Sequence, residues 1–536
     1  MAAALAAILA GPFLLRPASS TAPAHYDRRL VIMTPHPDQI RDEFGRAFCR
    51  YWLETKHETL AIDWRVAGTS DLNTLIKSDF RTAFKHYWTD TLGQPHAGEA
   101  TGTFLNPKAP AGDRGRTEFL KSNVGIGVDL IFGGGPHDFQ SQADAGILVA
   151  ADAKTGAGLA AVRKRHAEWF SEEGIPESVS GQAFRDKEMR WCGTCLSTFG
   201  IVYNRDVLAR LGITKEPQTW EDLADPRLLG QVSLADPSKS GSATQAFEMI
   251  IQQQMQLAVA RIKAKPGPLR KPADIEAAGV RAGWLAGLQL IQSISGNARA
   301  FADASPKTNL DVAQGSAAAG MCIDFYGRST EETVRKADGH TRIGFVSPQG
   351  GTALTVDPIG LMRGAPEPQL AESFMEFVLS DRGQRLWDFK VGTPGGPETT
   401  PLRRLPVRED FYTEENLKHM SDAGEEPFLK AQSFIYHPEW TAGMFDSLRF
   451  IIRLMCVDSH EELQQTWAML ARQHNPPRAT EIFHQLAIVD YDAARGDITR
   501  ILTSKDKALQ VREARRITDA FRHQYHQALE FARAEK

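Results

Sequence analysis

The sequence predicts an α/β protein of two lobes followed by a helical C-terminal layer, and three observations carry that expectation. At 536 residues the chain is too long for one simple core. Up to about residue 390, short apolar strands, tight polar turns and amphipathic helices alternate, the rhythm that places ligand contacts at strand C-termini. Past residue 400 strand formers thin out, and helical periodicity with many Arg, Gln, His and Glu takes over. With 42% hydrophobic residues, 24% charged residues and a net charge of −4, the composition is that of an ordinary globular protein. It has no long run of Lys and Arg, which argues against a nucleic-acid partner.

The N-terminus differs in kind. Residues 2–15, AAALAAILAGPFLL, are apolar but short of the roughly 18 residues of a membrane span, and Ala22-Pro23-Ala24 offers small residues where a signal peptidase reads. Residues 1–24 are expected to be an export signal or a retained anchor, with Arg16 as the only early cation besides the terminus. The location implied is periplasmic or otherwise extracytoplasmic.

In chain order, RLVIMT (29–34) reads as a buried strand ending in a Thr34-Pro35-His36-Pro37 turn. From Asp38 the apolar residues Ile40, Phe44, Phe48 and Trp52 recur every four positions, as on one face of a helix. LAIDWRVA alternates as a strand and runs into Gly68-Thr69-Ser70-Asp71 and a further helix. Residues 86–123 show little period and are expected to be an inserted surface excursion. The rhythm resumes with VDLIF, which delivers Gly133-Gly134-Gly135-Pro136; the glycines suit backbone contact with a ligand but lack the Lys of a P-loop.

The stretch QVSLADPSKSGSATQAF (231–247) organises the rest. A short strand brings Asp236, Ser238, Lys239, Ser240, Gly241 and Ser242 to the start of a long helix, where first-turn N–H groups have no intrahelical partner. The helix dipole adds about half a positive charge there, which favours an anionic or carbonyl oxygen. The same residues are also good caps. Further on, Ala318–Ile323 delivers Asp324-Phe325-Tyr326-Gly327-Arg328 to a turn, RIGFV and TALTVDPIGLM read as strands, and 368–389 reads as two helices. PLRRLPVRED resembles a linker.

Five cysteines leave at least one unpaired within the chain. Trp191-Cys192-Gly193-Thr194-Cys195 spells WCxxC, the pattern of a thiol-disulfide oxidoreductase. Such chemistry needs the first Cys at a helix N-terminus, whereas LSTFGIVYN after it reads as a strand.

Taken together, MTPHPDQIRDEF, DLIFGGG with DAGILVA, STFGIVYNRDVL, LADPSKSGSAT, VAQGSAAAGMCIDFYGR and FMEFVLSDRGQRLW resemble, in order, the bacterial extracellular solute-binding proteins of ABC transporters, in the branch for ferric iron, thiamine, polyamines and phosphonate-type solutes. The resemblance implies the type II periplasmic-binding fold, with one lobe from 28–200 and 355–400, a second from 203–350, crossing strands near Thr198–Asn204 and Thr352–Leu361, and 410–536 as a helical extension. It implies a monomer that is no enzyme, binds a small-molecule solute in the cleft and delivers it to an ABC permease in the membrane.

Candidate ligand-binding residues are His36, Thr69, Ser70, Gly133, Gly134, Ser238, Ser240, Gly241, Ser242, Asp324, Tyr326 and Arg328, for a small polar or anionic solute. No cofactor is expected. Ferric ion is the alternative cargo: His36 and Tyr326 stand where iron-binding relatives place a His and a Tyr, but the family's Glu falls among Gly133–Gly135 and its first Tyr is Phe325. A third reading is a ligand sensor that signals through the C-terminal helices.

Overall fold

A computed structural model describes residues 25–95, 98–268, 271–336, 338–504 and 506–534. The expected export segment, 1–24, lies outside these residues. Strand β1 (Arg28–Thr34) forms from the buried run LVIM, and helix α1 (Asp38–Lys56) follows Pro37. The four-residue stripe is what buries α1: Ile40, Phe44, Phe48 and Trp52 all face the core, each contributing about 1.5–3 kcal/mol. The helix stops at His57, whose left-handed backbone lets its N–H reach Leu53 O at 3.0 Å.

β2 (Leu60–Val66), α2 (Thr69–His86), β3 (Leu130–Phe132), α3 (Pro136–Ala145) and β4 (Leu148–Val149) continue the first lobe, followed by a small hairpin of β5 (Ser178–Val179) and β6 (Gln182–Ala183) and then by β7 (Cys192–Ser197). The second lobe holds β8 (Phe199–Asn204), β9 (Val232–Ala235), α4 (Gly241–Ala264), α5 (Pro272–Gly296), β10 (Ala298–Ala302), β11 (Ala319–Ile323), α6 (Asp324–Thr333) and β12 (Ile343–Val346). β13 (Thr355–Met362), α7 (Pro368–Leu379) and α8 (Asp381–Asp388) return to the first lobe, and the extension includes α9 (Phe445–Ile452), α10 (His460–Arg472), α11 (Pro477–Phe483) and α12 (Lys507–Ala534).

The two sheets repeat one plan. The first has the order β2-β1-β3-β13-β4 with β7 also on β13; the second has the order β10-β9-β11-β8-β12. In each, three parallel strands meet one antiparallel strand that enters from the other lobe: β13 in the first sheet and β8 in the second. Two mixed sheets joined by crossing strands are the two-lobed α/β arrangement expected from the sequence. The chain crosses at Thr198 and again over 347–354. Hydroxyls tie the crossings together: Thr198 Oγ1 and Ser347 Oγ lie 2.9 Å apart, and Phe199 N donates to Thr352 Oγ1 at 3.1 Å.

Three local expectations are corrected. Residues 86–123 are not a surface excursion: Trp88, Phe104 and Phe119 are buried, with Phe104 stacked on Phe84 at 4.6 Å and edge-on to Phe119 at 4.9 Å. Irregularly spaced aromatics filling one site leave no period to detect. PLRRLPVRED is not a loose linker either. Residues 402–408 are buried, Leu405 O accepts from Leu196 N at 2.8 Å, and Val407 N donates to Gln384 Oε1 at 2.9 Å. Strand β10 has no counterpart in the expectations, because ARAFA carries neither β-branched residues nor a long apolar run.

The extension packs chiefly on α5. Trp284 Nε1 donates to Val489 O, Gln292 Nε2 to Phe483 O and Tyr525 Oη, and Trp467 Nε1 to Asn297 Oδ1. The other face of α5 meets α4 so closely that a Cβ on Gly283 would lie 2.2 Å from Met255 Cα. Among the described residues no helix is long and apolar enough to cross a membrane.

Candidate functional site

The two sheets aim their parallel-strand C-termini, each followed by a helix start, at the gap between the lobes. In the first lobe, Thr34 Oγ1 donates to Phe132 O at 2.6 Å and accepts from His36 N at 3.0 Å, which fixes the turn after β1 beside the one after β3. Gly133 there has φ +90°, and a Cβ on it would lie 2.5 Å from His36 Nε2. Glycine is required twice over, by conformation and by space. Gly134, at φ +120°, sits against Thr69. Thr69 and Ser70 are half-buried in the first turn of α2, capped by the backbone of Gly68; the first amide bonded within the helix is Leu72 N, to Gly68 O at 2.9 Å.

Across the gap, the expected organising stretch forms as a strand, turn and helix. Asp236 Oδ1 accepts from Ser238 N at 2.8 Å and Ser238 Oγ at 2.7 Å, so the hydroxyl of Ser238 serves the turn. Ser240 caps α4, accepting from Ala243 N at 3.2 Å, and its hydroxyl meets Ser305 Oγ at 2.6 Å. Ser242 and Ser305 line a void of about 10 Å³ with Phe199, Leu234 and Met321, about the room one water needs.

The lobes meet at the first turns of α3 and α4. A Cβ on Gly241 would lie 3.8 Å from Asp138 Oδ2, and one on Gly135 would lie 3.6 Å from Gln245 Oε1. Burial raises the Asp138 carboxyl above its ordinary range, while His137, Arg449, Asn73 and Lys77 pull it back. Asp138, Gln245, Asn73, Lys77 and Arg449 were not singled out from sequence. Asp138 had a signal, its place in the first turn after GGGP. Arg449 had none.

Below this meeting point lies a buried polar layer. His36, 2% exposed, packs edge-on against Phe132 at 4.6 Å, with Nδ1 4.0 Å from Asp357 Oδ2 and Nε2 without a partner. Burial pushes its pKa down to about 3, so the ring is neutral. Arg404, fully buried, donates to Asp357 Oδ2 at 2.7 Å and to Ser197 Oγ, and lies 4.3 Å over the ring of Phe325. Phe325 in turn lies 4.0 Å from Tyr326. Burial pushes the Tyr326 phenol up to about 12, which keeps it protonated. Asp324 accepts from Phe325 N at 2.8 Å and lies 3.8 Å from Arg328, which reaches Glu425 of the extension at 3.1 Å.

Thus Thr69, Ser70, Gly133 and Gly134 converge in the first lobe and Ser240, Gly241 and Ser242 in the second, while His36, which packs under Gly133, belongs with Asp324, Tyr326 and Arg328 to the layer beneath. The groups at the lobe junction are first-turn amides, hydroxyls and cations together with the Asp138 carboxyl. In the WCxxC pair, Cys192 opens β7 and Cys195 lies within it, and burial pushes the Cys192 thiol up to about 12 and the Cys195 thiol further in the same direction. A reactive thiol needs the opposite shift.

Residues 171–405 match the family described as bacterial extracellular solute-binding protein. The phosphoglycerate transport regulatory protein PgtC of Salmonella typhimurium is 23% identical over 191 residues, 36% of this chain and 39% of that protein. The chain thus spans less than half the length of the curated relatives it matches. Among solved structures, the periplasmic binding protein AfuA from Actinobacillus pleuropneumoniae, with exogenous fructose-6-phosphate bound, aligns at a TM-score of 0.42 and 16% identity over 67% of this chain and 81% of that one. Iron-bound HitA from Pseudomonas aeruginosa aligns at 0.44 and 14% identity over 79% and 99%.

Proposed function

We propose, from the premise that residues 171–405 carry the bacterial extracellular solute-binding family match, that the chain is the exported substrate-binding component of an ABC importer. It captures a small polar or anionic solute between its lobes and hands it to a membrane permease. The observation that carries this reading is the opposition of two helix starts across the cleft, Gly135 facing Gln245 and Gly241 facing Asp138. Amide N–H groups at such starts bind oxyanions, and hinge closure about Thr198 and 347–354 brings both onto one ligand. Binding and release need no bond to be broken. The name of PgtC, a phosphoglycerate transport regulatory protein, supports a phosphorylated solute.

A sensor is the second reading. It is favoured by the extension touching both lobes: Tyr436 N donates to Ser180 O at 2.8 Å in the first, and Tyr436 Oη to Glu248 at 2.8 Å in the second.

Thermal unfolding of the chain against phosphoglycerates, sugar phosphates, phosphonates, spermidine, thiamine, and ferric ion with and without carbonate tests this. A solute at about a hundred times its dissociation constant stabilises the fold by about 2.7 kcal/mol. Stabilisation by phosphorylated solutes is the expected result. Stabilisation by ferric ion alone makes the protein an iron carrier, and no response to any solute removes the transport reading.

A further inference from the structure

The extension lies beyond the residues matched by the solute-binding family, yet α9 reaches the cleft and touches both lobes there. Phe445, its first residue, stacks on His137 in the first turn of α3, with ring centroids 4.7 Å apart and planes 28° apart. Arg449 lies one turn later on the same face. Its Nη2 approaches Thr244 Oγ1 in the first turn of α4 at 3.5 Å, its Nη1 lies 3.6 Å from the exposed Asp446, and its Nε is shut off from water with no hydrogen-bond partner.

The long contacts leave the guanidinium underused. It carries five donors in a rigid fork, is four-fifths buried, lies 5.1 Å over the ring of Phe445, and among the described residues has no polar contact shorter than 3.5 Å. Such a cation at a helix start is completed by an oxyanion bound through two of its N–H groups. Opposite it stands Asp138, whose carboxylate faces the same first turn of α4 at Gly241 and is held by Asn73. With the exposed Asp446 it is one of two carboxylates near Arg449, and it competes for the same cation.

We propose that Arg449 grips the oxyanionic group of the solute at the first turn of α4, displacing Asp138 from that position, so that the C-terminal extension forms a third wall of the binding site and sets its preference for anions. This rests on the solute-binding reading above and specifies its ligand class. A phosphoryl and a carboxylate group share the chemistry, so the test separates them.

Calorimetric titration of the full chain with 3-phosphoglycerate, glycerate and inorganic phosphate is run on the wild type, R449Q, R449K and D138N, with the thermal midpoint of each unliganded variant as a folding check. R449Q should weaken binding of the preferred probe about 10- to 100-fold, R449K should recover part of it, and D138N should tighten it. Binding of glycerate but not phosphate names the carboxylate; the reverse names the phosphoryl group. If R449Q does not fold, D138N decides, since it removes the competing charge and leaves Arg449 in place. Wild-type binding that is unchanged in R449Q, or unchanged in D138N where R449Q does not fold, overturns the role of Arg449 and leaves the transport reading standing. A wild type that binds none of the three probes but responds to spermidine or ferric ion overturns the anion preference, and one that responds to nothing overturns both.

Discussion

Arg404, wholly buried in the segment that follows the first lobe, donates to Asp357 of β13 at 2.7 Å. The pair fastens residues 402–408 to the strand that carries the chain back between lobes, and it lies directly under His36. Removing one partner of a buried ion pair strands the other, at a cost of about 3–5 kcal/mol. R404M should therefore lower unfolding free energy in urea by that amount, and R404M/D357L should recover part of it. A loss under about 1 kcal/mol for R404M would mean that Asp357 is solvated and the pair is incidental.

Gly133 and His36 make a second exacting contact. G133A forces a side chain onto φ +90° and places its Cβ 2.5 Å from His36 Nε2. The backbone part costs about 1–3 kcal/mol and the overpacking about 1–3 kcal/mol. H36A in the G133A background should restore the second part and leave the first. Equal stability of G133A and wild type would show that the turn after β3 yields freely.

His36 also sets a pH response. Its folded pKa is depressed to about 3 by burial, against about 6.5 in an unfolded chain. On acidification the unfolded state takes up the proton first, so the stabilising contribution is full above about pH 6.5 and is lost as pH falls toward 3. The slope is at most about 1.4 kcal/mol per pH unit. Denaturation of wild type and H36N between those limits should show H36N with the flatter dependence. Parallel curves would place His36 in contact with water.

Asp388 acts with the opposite sign. It is buried, Oδ2 accepts from Asp422 N at 3.1 Å, and Oδ1 has no partner. Asp422 is ionised against Arg403, with two contacts at 2.7 Å, so burial and that neighbouring carboxylate hold Asp388 protonated well above its usual range. A raised folded pKa gives stability that is full below about pH 3.9, the unfolded value, and that is lost as pH rises through the folded one. D388N, neutral at every pH, should be at least as stable as wild type at pH 8 and should lose the decline that sets in above about pH 3.9. A D388N protein clearly less stable at pH 8 would mean that the ionised form is the one the fold uses.

The sequence by itself determined the local units and, through their order, the two-lobed fold. The stripe Ile40, Phe44, Phe48, Trp52 names the buried face of α1, and Ser240 before Gly241 marks the start of α4, because periodicity and capping act within four residues. Arg404 in an apparent linker, the aromatics of 86–123, and Arg449 on an otherwise ordinary helix face carry no such mark. Their partners lie far away in the chain: Asp357, Phe84, and Thr244 with the Asp138 region. Only the tertiary structure decided them, because the role of a charge or ring depends on which groups share its water-excluded surroundings, and long-range packing alone selects those groups.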